Sequence, residues 1–373
     1  MSTIQANAIL DASGGNTTTI NGVTPNAYNT MGKNRIINGA MEIDQRNAGA
    51  SVTLTNGTDQ YCVDRYKFYR DVGGTFTAQQ SSTAPAGFST SMVITASTGA
   101  SPSASQLNFV KQDIEGFNVA DLKWGTSDAK DITISFWIRS SVTGAYAISV
   151  ANNSLGRSYV TEVTVSSANT WEQKSVTIPG DTSGTWTTNN TAGIRLYLDL
   201  GSGSDYNATV NTWASAWDCR TSSSVTWGAT TGATLYITGV QLEVGSVATE
   251  FERRPYGTEL QLCQRYFQKI GSNGGRFCAI GSIFSPNQAQ VSVPLPTKMR
   301  SSPSTTFVTA TTTWVLNNGS NAGTCSALTT NSTSPDVVWV TATTGASLAT
   351  ASCAIFYEQA STGASVIHFS AEL

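Results

Sequence analysis

Histidine is almost missing from this chain: His368 is the one such residue in 373. A Ser–His–Asp triad would have to run through that side chain, and no G-x-S-x-G elbow accompanies it. A zinc centre held by several histidines cannot be built within one copy. His368 falls in the last expected strand, where it reads as a core or edge-strand residue. Charge is scarce too. Acidic and basic residues make up 12% of the chain, about half the usual share of roughly 25%. With 21 basic against 24 acidic residues and a net charge of −3, there is no basic face to neutralise phosphates. RNP, zinc-finger and helix-turn-helix patterns are missing as well, so no nucleic-acid partner is expected. No apolar run approaches the roughly 18 residues of a membrane span. The opening MSTIQANAILDASGG has neither the basic start nor the apolar core of a secretion signal. The six cysteines (Cys62, Cys219, Cys263, Cys278, Cys325, Cys353) show no C-x-x-C and no metal spacing. Free thiols are expected, with a Cys278–Cys353 or Cys325–Cys353 bridge left open. There is no Walker loop and no Rossmann glycine fingerprint. The absence of any repeat of 20 to 50 residues excludes solenoids and propellers.

What fills the chain instead is Ser, Thr, Asn and 33 Gly, a composition that suits short strands and tight turns. The expected class is all-β. Residues 1–33 read as an extended attachment arm: Ile4, Ala6, Ala8 and Leu10 are spaced for a short strand, followed by Gly-rich turns. A segment of this length cannot bury enough apolar surface to order itself, so it needs a partner. Residues 34–256 read as a jelly-roll-like β-sandwich, with strands separated by Gly- and Ser-rich turns. Candidate strands include Arg35–Ile43, Val63–Tyr69, Asp131–Arg139, Gly193–Leu200 and Thr234–Glu243. Ile132, Ile134, Phe136 and Ile138 alternate with polar neighbours, as do Ile194, Leu196 and Leu198, and these sets mark the inner faces. Gly239 marks a bulge or a close backbone approach. Residues 257–373 read as a short helix followed by a smaller C-terminal β-sandwich.

The helix is expected from a Thr258–Gln261 capping box. Leu260, Cys263 and Phe267 then recur at helical spacing as one apolar stripe, a surface for contact with another domain or another copy. Aromatic residues outside the regular inward faces form a second set of candidates. Trp124, Trp186, Tyr206, Trp213 and Trp217 lie in expected loops or strand ends, with Asp205 and Asp218 beside the last three. Flat rings with hydroxyl, amide and carboxylate neighbours hold sugar rings, whose C–H faces stack while their hydroxyls hydrogen-bond. The alternative is that these tryptophans pack; Trp137, Trp171, Trp227, Trp314 and Trp339 are expected to be core or sheet-packing residues. The same loop region, with Asp199, is where a two-carboxylate glycoside hydrolase would place its pair. Nothing in the spacing selects catalysis.

Five stretches carry a family resemblance: NRIINGAMEIDQR (34–46), Asp64-Arg65-Tyr66, ITISFWIRSS, TWEQKSVTIPGDTSGTW and QLEVGSVATEFERRPYGTELQLCQRYF. Together they resemble phage and prophage tail-fibre-type virion proteins with a jelly-roll, carbohydrate-binding-module-like domain, over roughly residues 34 to 270. The resemblance implies a non-enzymatic structural protein of a bacteriophage virion, assembled in the bacterial cytoplasm. It further implies a homotrimeric tail fibre or appendage that contacts host surface polysaccharide and meets other virion proteins through its arm. A purely architectural head-fibre, baseplate or collar part is the alternative; a glycan-cleaving tail spike is a third. Sugar-binding jelly rolls often hold a structural calcium ion between first and last strands. Here Asp44 or Glu42 together with Glu243 would supply hard oxygen ligands, against the alternative of solvated carboxylates. No other cofactor is implied.

Overall fold

The computed structural model describes residues 32–271, 278–308, 314–358 and 366–373. The arm, apart from its last two residues, lies outside the described residues. The central region is two antiparallel sheets packed face to face. One has six strands, in the spatial order Val52–Leu54, Thr75–Ser81, Ser91–Thr98, Ala233–Val244, Ile132–Ser140 and Glu172–Ile178. The other has seven: Thr212–Ala214, Ser158–Val165, Gly144–Ala151, Ala192–Asp199, Asn108–Glu115, Lys67–Arg70 and Gln60–Tyr61. Ile132, Ile134, Phe136 and Ile138 enter the shared core from one side and Ile194, Leu196 and Leu198 from the other, as their alternation requires. Trp227 lies fully buried in the same core. The strand Ala233–Val244 slips register between Thr238 and Gln241. Gly239 there has φ of 63°, and a Cβ on it would stand 2.7 Å from the Phe88 ring, so glycine is required.

The C-terminal region is also all-β. Its six strands hydrogen-bond in one closed ring: Cys278–Ser285, Gln288–Pro294, Val337–Thr344, Ala322–Thr333, Trp314–Asn317 and Cys353–Glu358. Closure leaves this small sheet no free edge. Trp314 and Phe356 stack inside it, with ring centroids 4.7 Å apart. A three-stranded sheet of Phe267–Ile270, Ile367–Ser370 and Ser304–Phe307 sits beside it. Cys325 and Cys353 are free thiols. Cys278 pairs with Tyr357, whereas Cys353 pairs with Ser282 four residues on. That offset of roughly 13 Å along the strand rules out a Cys278–Cys353 bridge.

Three local expectations are corrected. Arg35–Ile43 is not a strand but an irregular run, with Asn38 and Met41 at φ of 59° and 58°. Its backbone bonds to side chains instead: Ile37 N–H donates to Gln112 Oε1 at 2.9 Å and Ile43 N–H to Asn38 Oδ1 at 2.9 Å. The helix spans Tyr256–Gln264 and starts on Pro255, without a side-chain cap, so the Thr258–Gln261 box does not form. Phe267 is not on that helix. It opens a strand, because Phe267–Ile270 finds a ladder partner in Ile367–Ser370, and the sheet overrides the helical period.

The helix is nevertheless a domain contact. Cys263 and Tyr266, with Leu260 against them, pack on Ile37 and Ile43 of the sandwich. Polar groups complete the junction. Glu115 at the end of a sandwich strand accepts from Arg265 Nε at 2.9 Å, Arg265 Nη2 at 2.6 Å and Tyr266 Oη at 2.7 Å. The Arg65 guanidinium lies 3.5 Å above the Tyr266 ring, and that of Arg46 lies 3.6 Å above the Phe267 ring. Both arginines pair with Glu372, two residues from the last strand. Arg300 donates to Asn190 O at 2.6 Å and Ala371 O at 2.9 Å.

His368 faces Phe267 at 5.0 Å. Burial, then Lys269 and Arg46, push its pKa down to about 4. An unfolded chain takes up this proton near pH 6.5, so the folded state loses stability as pH falls from 6.5 towards 4. Asp64 and Asp199 act in the opposite direction, since burial raises each to about 6. The difference between wild type and His368→Gln isolates the histidine: unfolding at pH 7 and pH 4.5 should show wild type losing on the order of 1 kcal/mol more than the variant, solvent screening of this half-buried ring having reduced the full effect. A second prediction concerns the junction. Glu115→Ala strands Arg265 and Tyr266 and should cost on the order of 3 kcal/mol in chemical denaturation, with Glu115→Gln in between.

Candidate functional site

The aromatic candidates gather in two clusters, one packed against the core of the sandwich and one on the outer side of the seven-stranded sheet. Trp124, Trp186 and Trp213 form the first, at one end of the sandwich. Their ring centroids are 4.6 Å (Trp124–Trp186), 5.4 Å (Trp124–Trp213) and 5.7 Å (Trp186–Trp213) apart, all edge-to-face. Trp124 is buried and belongs to the core, while Trp186 and Trp213 are half-buried against it. All three indole N–H groups are used internally. Trp124 donates to Lys130 O at 2.7 Å, Trp213 to Pro179 O at 3.0 Å and Trp186 to Asp181 Oδ2 at 3.2 Å. Asp181 also holds Arg157 through two bonds of 2.9 and 2.7 Å, and the Arg157 guanidinium stands 5.7 Å from the Trp213 ring. Gly184, at φ of 78°, makes room for this: a Cβ there would meet Arg157 Cγ at 2.6 Å.

Trp217 and Tyr206 belong to the second cluster. The Trp217 ring lies 6.0 Å from Phe109, 5.5 Å from Tyr197 and 5.3 Å from Tyr206. Its indole nitrogen is buried without a partner among the described residues, as are Ser149 Oγ and Arg195 Nε. Ser149 is the register partner of Tyr197, and Tyr197 in turn is opposite Lys111. The cross-strand row continues to Lys67. Lys111 bonds Asp113 at 2.9 Å, and burial, opposed by that carboxylate, lowers its pKa to about 8. The chain from Trp213 to Trp217 links the two clusters, tied down by Ser158 Oγ donating to Ala216 O at 2.8 Å.

Of the acidic candidates, Asp205 is exposed on a single turn of 3-10 helix, Ser204–Tyr206. Asp218 is half-buried, and burial raises its pKa. Asp199 is sealed inside, its oxygens accepting from Gly201 N–H at 3.1 Å and Ser202 N–H at 2.8 Å. That leaves it unable to meet a substrate. The calcium candidates are engaged elsewhere. Glu243 accepts from Gln241 Nε2, Thr249 N and Thr249 Oγ1 at 2.9, 2.9 and 2.6 Å. Asp44 closes a turn by accepting from Asn47 N–H at 2.9 Å and Gly49 N–H at 2.7 Å. Among the described residues no group of three or more His, Cys, Asp or Glu converges.

Tyr69, Phe109, Lys111, Arg195 and Tyr197 were not among the sequence candidates. The alternation of Arg195 and Tyr197 against Ile194 and Leu196 already placed them on the face away from the core. What it could not show was that Phe109 and Tyr69, 5.8 Å apart and stacked, share that face across two strand boundaries.

No protein-family model matches the chain, and no curated protein matches it. Solved structures do align. The enzymatically active domain of bacteriophage CBA120 tailspike protein 4 matches at 11% identity and a TM-score of 0.30, over 57% of this chain and 22% of that one. The aligned part is therefore about a fifth of the tailspike domain. A putative sugar-binding protein from Bacteroides thetaiotaomicron matches at 12% identity and a TM-score of 0.32, over 57% of this chain and all of that one. TmCBM61, solved with β-1,4-galactotriose, matches at 10% and 0.23, over 57% and 99%. Likeness at this level brings no function with it.

The two clusters should separate in their responses. Trp124→Ala removes a buried ring and should cost about 3–5 kcal/mol of stability. Trp217→Ala leaves Tyr206 and Phe109 without their shared neighbour and should cost less, about 1–3 kcal/mol. Urea denaturation of both variants checks the order.

Proposed function

We propose that this chain is a non-enzymatic structural component of a bacteriophage particle, a trimeric tail fibre or related appendage whose outer surfaces contact host glycans. The observation that carries the reading is where the family-like segments fall. Residues 34–46, Asp64-Arg65-Tyr66 and the run from Gln241 to Phe267 come together at one junction. There Asn34 N–H donates to Glu252 at 2.7 Å, Arg254 pairs with Glu259 at 3.2 Å, and Asn38 Nδ2 donates to Ile43 O at 2.8 Å. A junction of this kind holds two β units at a fixed angle, which is what a displayed appendage needs. The half-buried rings of Trp186, Trp213, Trp217 and Tyr206, with Asn153 and Arg195 as polar neighbours, would serve weak sugar contact. Copies displayed together would convert weak sites into useful avidity. The arm would meet other virion proteins.

A purely architectural part is favoured by one observation: every indole N–H of the Trp124 cluster is already satisfied within the chain. Binding tests decide between the two. The purified full chain should sediment at three times its own mass and be retained on host cells, with no new reducing ends released from host capsule. Retention on no host surface favours the architectural part. Reducing ends that increase with time would overturn the non-enzymatic reading. A monomer at micromolar concentration would remove the trimer.

A further inference from the structure

We propose that the outer face of the C-terminal barrel is a second contact surface, built for an uncharged polysaccharide. This rests on the adhesive reading above and gives it a chemical class and a place. Trp339, expected to be core, is 44% exposed. Its indole N–H has no hydrogen-bond partner among the described residues and its ring stacks on no other. Pairing registers place it in a row across four strands: Ile355 is opposite Ile280, Ile280 opposite Ser292, and Ser292 opposite Trp339. Neighbouring strands lie about 4.8 Å apart, so the row is on the order of 15 Å wide. Ile280 is 67% exposed, Ile355 43%, and Phe284, four residues along the same strand, 55%.

Two features select the occupant. The first is charge. On the four strands Cys278–Ser285, Gln288–Pro294, Val337–Thr344 and Cys353–Glu358, no acidic or basic side chain stands at a described outward position; the polar neighbours include Ser282, Gln290, Ser292, Thr341 and Thr343. Lys298 and Asp336, at one end of the face, pair with each other at 3.3 Å. A partner here gains nothing from charge, and a charged one would be desolvated without compensation. The second is size. The four large apolar side chains expose on the order of 400 Å², about half of the roughly 800 Å² per partner that a stable protein–protein contact buries. An uncharged sugar chain fits both. Its C–H faces cover the rings and isoleucines, and its hydroxyls meet the amide, the hydroxyls and the unpaired indole N–H.

The test is affinity electrophoresis of the full chain through gels holding a mannan, a β-glucan or a galactan, with alginate as the acidic comparison. At least one neutral gel should retard it, equally in 0.05 and 0.5 M NaCl. Trp339→Ala should weaken that retardation at least tenfold, Ile280→Ser should weaken it in the same direction, and sedimentation should not change. Four outcomes would overturn the proposal. Retardation lost in Trp217→Ala but intact in Trp339→Ala would place the contact on the sandwich and leave the adhesive reading standing. A lighter species for Trp339→Ala would make the face an interface between copies. Retention on host cells with no retardation in any neutral gel would keep attachment and remove this ligand, whereas failure on cells and gels alike would end both.

Discussion

The interaction on which the arrangement depends is the buried Glu115 carboxylate. Its side chain is 1% exposed, and it takes three hydrogen bonds from the segment that follows the helix. Taking a carboxylate out of water costs several kcal/mol, and only well-aligned donors offset that. Burial pushes the Glu115 pKa upward, yet the bonds from Arg265 and Tyr266 outweigh it and hold the group below the ordinary range. A charge placed in this way has few alternative homes. If the barrel turned away, Glu115 would be left on the sandwich without donors, so the contact specifies one relative position of the two β units. Arg65 and Arg46 work in the same sense, each spread over an aromatic ring of the other unit while bonded to Glu372.

The junction also draws on residues far apart in the chain. Asn34, Asn38, Asp64, Arg254 and Glu259 are short of alternatives, because each satisfies a backbone group or a buried charge that nothing else reaches. A residue on the barrel's outer face has no such constraint. Trp339 is 44% exposed, and its indole makes no hydrogen bond to its described neighbours. A chain that keeps its scaffold and changes its ligand would therefore vary in the second place and not in the first.

The all-β class and the sandwich core were readable in the sequence, because Ile132 to Ile138 and Ile194 to Leu198 alternate with the period of a strand buried on one side. Gly239 was readable for a similar reason, as its lack of a side chain makes sense only at a bulge. Arg35–Ile43 was not. Its apolar residues alternate well enough for a strand, but its backbone bonds go to Gln112 and Glu259, which lie 75 and 221 residues away. The helical spacing that included Phe267 failed likewise, since a ladder partner just over 100 residues later, Ser370, decided its conformation. Trp339 shows the limit for surfaces. In a closed barrel inward and outward positions alternate equally, so a tryptophan flanked by Val338 and Val340 looks inward until both valines are seen to be fully buried.

The same alternation bears on what the two candidate surfaces can hold. On the outer side of the seven-stranded sheet, Lys111, Asp113, Phe109 and Tyr197 are buried, with Lys67, Tyr69 and Arg195 half-buried beside them, so rings and charge lie together there. Lys111 lies buried there, where burial lowers its pKa to about 8 and the Asp113 carboxylate opposes the shift. The barrel face has rings without charge.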